Sequence, residues 1–108
     1  MPGGHVSFNA IKWAVGQETS PTQKSVLMII AFHFNDAEHC AWPSHNLMAA
    51  ESNLGRSTVI RTVASLQDEL GLVEIEARED PSGRKTSNRY YLPDYDSASR
   101  APALEPAA

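Results

Sequence analysis

The chain has 108 residues, 42% of them apolar and 20% charged, with a formal net charge of −4. That length supports one hydrophobic core and not two. The acidic balance argues against a protein coated in positive potential, and a single cysteine, Cys40, excludes an internal disulfide and agrees with a reducing compartment. No run approaches the ~18 apolar residues of a membrane helix, and Met1 to His5 form neither a basic nor an apolar signal region, so a cytoplasmic protein without a membrane partner is expected.

Residues 1–6 are read as a flexible N-terminus. From Ser7 to Gln17, Phe8, Ile11 and Val15 recur at three- and four-residue steps with Trp13 off the stripe, which predicts a first helix stopped near Gly16. Ser20 caps a second helix with Pro21 at its first position, and Val26, Leu27, Ile29, Ile30 and Phe34 make it the central core helix. Residues 35–39 are a polar connection, and Cys40, Ala41 and Trp42 form a short extended segment able to add a strand beside a later hairpin.

Residues 43–61 carry the functional signal. Pro43 ends the extended segment and Ser44 caps a short helix whose inward side is Leu47, Met48 and Ser52. Asn53 stands where the chain turns sharply, and Asn tolerates the left-handed conformation better than any residue except Gly. Leu54 plugs the angle, and a second helix starts at Gly55 or Ser57 and buries Val59, Val63, Leu66 and Leu70. Arg56, Ser57, Thr58, Ile60, Arg61 and Ser65 are left for solvent or a ligand. Two helices joined in this way form the unit that places a helix in a DNA major groove.

After Gly71, Val73, Ile75 and Ala77 alternate with Glu74, Glu76 and Arg78 as a half-buried strand, Asp80-Pro81-Ser82-Gly83 bends the chain, and Asn88 to Leu92 returns with Tyr90 and Leu92 on one face and Arg89 and Tyr91 on the other. The domain is expected to span 7–93, and the Asp, Ser, Ala and Pro composition of 94–108 predicts a disordered tail.

Pro43-Ser44, Met48-Ala49, Asn53 and Thr58-Val59-Ile60-Arg61 stand without a gap at the distances of a Pro-Ser pair, a Leu-Ala pair, a turn Gly and a Thr-Val-x-Arg segment. In this the chain resembles the winged helix-turn-helix domains of bacterial regulators and of phage and plasmid replication proteins. Ile11 to Ala14 and Ser20 to Lys24 extend the resemblance over roughly residues 7–92. It departs from the pattern at Asn53 for the turn Gly, at Gly55 where a Ser cap is usual, and by one extra residue between Leu66 and Gly71.

The resemblance implies a mainly α fold with a β-hairpin wing (α+β, winged helix-turn-helix) that reads double-stranded DNA through the helix starting near Gly55 and through a basic wing. The candidates are Ser44, Arg56, Ser57, Thr58, Ile60, Arg61, Ser65, Arg84 and Lys85. Arg56 reaches a phosphate or a guanine edge, Arg61 suits a base edge, Ser57 and Thr58 sit near N–H groups that favour phosphate, and Arg84 and Lys85 put the wing on the backbone or in the minor groove. Each has a plainer reading: solvated arginine, a helix cap at Ser57, a loop charged for solubility.

Between Asn53 and Leu92 six basic residues meet six acidic ones. A monomer thus offers few phosphate contacts, and tight binding calls for a homodimer. Arg89 is expected to pair with Glu74 or Glu76 across the strands, and Tyr90 and Tyr91 to serve the core and the sheet surface. His33, His39, Cys40 and His45 match no tetrahedral metal spacing. No phosphate loop or ordered nucleophile is legible, so neither enzymatic activity nor a cofactor is expected.

Three readings stay open: a transcriptional regulator, favoured because the length leaves no room for a second functional module; an origin-binding replication domain; and a protein-interaction module anchored on Trp13 or Ile60 that no longer binds DNA.

Overall fold

The structure, a computed structural model, describes residues 8–100; the expected flexible start (1–6) and residues 101–108 of the expected tail lie outside the described residues. The elements run α1 (Phe8–Val15), α2 (Pro21–Phe32), α3 (His45–Ser52), α4 (Arg56–Asp68), β1 (Glu74–Glu79), β2 (Lys85–Tyr91) and α5 (Pro93–Arg100). Among the described residues no helix is long and apolar enough to cross a membrane.

α2 is the centre of the core because its start is fixed twice. The Ser20 hydroxyl accepts from the Gln23 N–H at 3.1 Å, and the Gln23 side chain accepts from the Ser20 N–H at 3.0 Å, a reciprocal capping box with Pro21 at the first helical position. Val26, Leu27, Ile30, Ala31 and Phe34 are then fully buried. Lys24 reaches back to the carbonyls of Val15 and Gln17 at 2.5 and 2.6 Å, placing a cation on the carbonyl end of α1.

α1 forms as expected but buries a different face. Ala10 and Ala14 lie against the core, while Phe8 is 75% and Val15 53% exposed and Trp13, read as off the stripe, is half-buried. Small side chains at the contact let a helix approach its neighbour closely: the alanines turn inward, Ile11 and Trp13 pack at the edge of the core, and Phe8 and Val15 stay outside.

The α3 turn α4 unit follows the sequence closely. Ser44 accepts from the Leu47 N–H at 3.0 Å, and Asn53 adopts φ 60°, ψ 31°, with its N–H on the Ala49 carbonyl. Met48 is buried as expected, whereas Leu47 is exposed. Gly55 is the N-cap of α4 and offers no side-chain acceptor. Val59, Val63 and Leu66 face inward with Thr62, whose hydroxyl donates to the Thr58 carbonyl at 2.6 Å. α4 ends at Asp68, the Leu72 N–H bonds the Leu66 carbonyl at 2.9 Å, and Gly71 at φ 65° closes the reversal, so Leu70 falls beyond the helix and is 37% exposed instead of completing the inner stripe.

β1 and β2 pair antiparallel with Glu76 opposite Arg89 and Arg78 opposite Thr86, so Ser87 and Asn88 together face the single Ala77. This irregularity breaks the expected alternation: Ala77 is exposed and Arg78 half-buried, its Nε donating to the Ser87 carbonyl at 3.0 Å. The returning strand presents its faces as read, with Tyr90 and Leu92 fully buried. The Cys40 to Trp42 segment adds a bridge to the hairpin: Ala41 and Tyr90 exchange backbone hydrogen bonds of 2.9 and 2.7 Å.

The tail expected from residue 94 instead begins as α5. Tyr95 is 5% exposed, lies edge-on to Phe34 with ring centroids 5.4 Å apart and tilted against Trp13 at 5.9 Å, and donates its hydroxyl to Asp36 at 2.8 Å. A single buried aromatic among small polar residues holds this segment on the core.

Candidate nucleic-acid interface

The exchange of hydrogen bonds between Ala41 and Tyr90 sets the start of α3 beside β2. Between them, with the start of α4, opens a cleft of about 360 Å³ lined by Ser44, the cap of α3, His45 and Asn46 of α3, Arg56 of α4, and residues 85–88 and Tyr90 of β2. Three of the expected residues, Ser44, Arg56 and Lys85, thus meet at one place. The Ser44 hydroxyl is spent as an acceptor on its own helix, so only its donor and remaining lone pair face outward.

The rest of the outward face of α4 continues from the cleft. Arg56, Ser57, Ile60 and Arg61 are exposed, and the helix ends in Asp68 and Glu69, so its cations gather at the N-terminal end. Arg61 leans on its own helix through a long contact of 3.4 Å from Nη2 to Thr58 Oγ1. Thr58 is half-buried. Ser65 is half-buried and engaged in packing: it accepts from Gln23 Nε2 of α2 at 3.1 Å and donates to the Thr62 carbonyl at 2.8 Å.

The wing tip is built on Asp80. One carboxylate oxygen accepts from the Ser82 N–H at 2.9 Å, the Ser82 hydroxyl at 2.6 Å and the Arg84 N–H at 3.0 Å. These bonds, the Ser82 hydroxyl foremost, hold the Asp80 carboxyl below the usual carboxylate range. The turn closes through Gly83 at φ 88°, and Arg84 and Lys85 are exposed just beyond it. Arg89 pairs with Glu76 at 3.7 Å, as expected, and Glu76 also accepts from the Tyr91 hydroxyl at 2.8 Å; nearer the tip, Lys85 stands opposite Glu79.

His45, Asn46, Thr86, Ser87 and Asn88 line the cleft without having been singled out for it. Burial foremost, then the charges of Arg56 and Lys85, push the His45 imidazole below its ordinary value. The other residues weighed as metal ligands lie apart: His33 bonds Glu51 at 2.7 Å, His39 meets Asp96 at 3.3 Å, and Cys40 is buried, where desolvation raises its thiol.

A family model described as a helix-turn-helix domain matches residues 19–72, half of the chain, from the cap of α2 to the buried Leu72 that follows α4. No curated protein and no solved structure matches the chain significantly. The chain belongs to the helix-turn-helix domain family, and the hairpin that follows the matched region makes its fold a winged helix-turn-helix.

Proposed function

We propose that the protein binds double-stranded DNA sequence-specifically and regulates transcription by occupying a promoter. The observation that carries this reading is the continuity of one surface: the exposed cations at the start of α4 run through the cleft to Lys85 and Arg84 on the wing, while the acidic groups that end α4 lie away from it. In this reading α4 lies in the major groove, where Arg61 addresses a base edge and Ile60 a thymine methyl, while Arg56, Ser57 and Lys85 hold phosphates. An origin-binding replication role would use the same contacts, and the position of the footprint in the genome separates the two.

The test is fluorescence anisotropy with duplexes from the protein's own locus and a random duplex at two salt concentrations. Selective, salt-dependent binding is the expected result, and Arg84→Ala should weaken all duplexes alike and lower the salt slope by about one. Absence of binding even at low salt would redirect the reading to a protein partner.

A pair of copies joined through α1 is favoured by a separate observation. Phe8 and Val15, the first and last residues of α1, are large apolar side chains left exposed. The few cations of one copy also make a second copy useful, since each neutralised phosphate adds to affinity. Sedimentation should find a dimer that Phe8→Glu with Val15→Glu converts to a folded monomer of weaker DNA affinity; a wild-type monomer at working concentrations would remove this interface.

A further inference from the structure

The cleft between α3, α4 and the wing gathers charge of one sign. Arg56 and Lys85 bring positive charge to the lining, and His45 beside them becomes cationic on protonation. Tyr90 of β2 is the other titratable group in the lining, and no carboxylate is among the lining residues. Other cations of the wing are handled differently: Arg89 has Glu76 and Arg78 has the Ser87 carbonyl. Amide and hydroxyl groups of Asn46, Thr86 and Asn88 complete a lining suited to an oxyanion.

We propose that this cleft seats one phosphodiester of the DNA backbone and that His45 takes up a proton as the anion enters, so that affinity for duplex DNA rises as the pH falls below neutrality. The proposal rests on the DNA-binding reading above and adds a site and a proton to it. In the free protein burial, and then the charges of Arg56 and Lys85, disfavour imidazolium at His45. An anion between the three groups reverses the sign of the local potential and restores the proton. The linkage follows: between the depressed free value and the higher bound one, the complex holds more protons than the free protein, and lowering the pH favours binding by up to about tenfold per pH unit for one proton.

The test joins two measurements. Duplex affinity is followed by anisotropy from about pH 8 to about pH 5.5, spanning the histidine range, for the wild type and His45→Gln. In parallel, the imidazole resonances of His45, assigned through the H45Q spectrum, are titrated by NMR in the free protein, with duplex and with dimethyl phosphate, a diester that stays monoanionic. The expected result is a wild-type affinity that climbs toward low pH, a flattened profile in H45Q, and a His45 titration moved upward by duplex. Duplex binding with an unmoved His45 titration overturns the proposal while leaving the DNA reading intact. If duplex fails to bind but dimethyl phosphate moves His45 upward, the DNA reading fails and the cleft stands as a seat for free phosphate esters. If duplex fails to bind and dimethyl phosphate leaves His45 unmoved, both fall.

Discussion

Replacing Tyr95 with alanine is expected to destabilise the domain by about 3–5 kcal/mol, the range for removing a large buried aromatic ring. The ring is 5% exposed and wedged between Phe34 and Trp13, so its loss opens a cavity at the meeting of α1, α2 and α5. Against a total stability of about 5–15 kcal/mol for such domains, the variant would be marginal at physiological temperature. Tyr95→Phe separates packing from polarity. It keeps the ring and loses the 2.8 Å hydrogen bond to Asp36, which should cost about 0.5–1.5 kcal/mol. Urea unfolding followed by tryptophan fluorescence reads both, because Trp13 stands beside the ring. A Tyr95→Ala cost under about 1 kcal/mol would mean that α5 contributes nothing to the core.

Tyr95 also shows where the chain is legible and where it is not. The start of α2, the turn after α3 and the faces of the returning strand follow from local chemistry, and each was readable: Ser20 with Pro21, Asn53 at the turn, Tyr90 and Leu92 alternating with Arg89 and Tyr91. What local chemistry does not encode is which face of a short helix meets its neighbour. In α1 the periodic large residues mark a stripe, yet the fully buried residues are Ala10 and Ala14, and of the stripe Ile11 alone packs against the core. Residues 94–108 have the composition of a solvated tail, and one aromatic outweighs that average once Phe34 and Trp13 form a slot for it.

The candidate site divides along the same line. Arg56 and Lys85 were readable from the turn spacing and the wing tip, but their convergence depends on the Ala41 and Tyr90 pairing, a contact between segments 49 residues apart in sequence. His45 gains its interest only from that convergence, since beside Ser44 in sequence it is merely the first residue of a helix. Ser65 is the reverse case. Its spacing from Arg61 puts it on the outward side of an ideal helix, and only the reach of Gln23 from α2 turns it into a packing contact.

Within the DNA-binding reading, Arg61→Ala is expected to weaken binding to the specific duplex by roughly 1–3 kcal/mol, or about 5- to 150-fold, while changing non-specific binding far less. The asymmetry is the argument. Arg61 is exposed one turn beyond Arg56, its guanidinium held by nothing stronger than a 3.4 Å contact to Thr58, so it is free to present two parallel donors to the N7 and O6 of a guanine. The bonds it would form are bidentate and geometrically exacting, and a wrong base leaves its donors unpaired. Arg56 lies on the cleft beside Lys85, where a phosphate is the nearer anion. Arg56→Ala should therefore weaken all duplexes alike and reduce the salt slope by about one. Anisotropy on specific and random duplexes, each at two salt concentrations, distinguishes the two losses. Equal losses of Arg61→Ala on specific and random DNA would make Arg61 a backbone contact and move base reading to other residues of α4; an unchanged affinity in the folded variant would remove Arg61 from the interface.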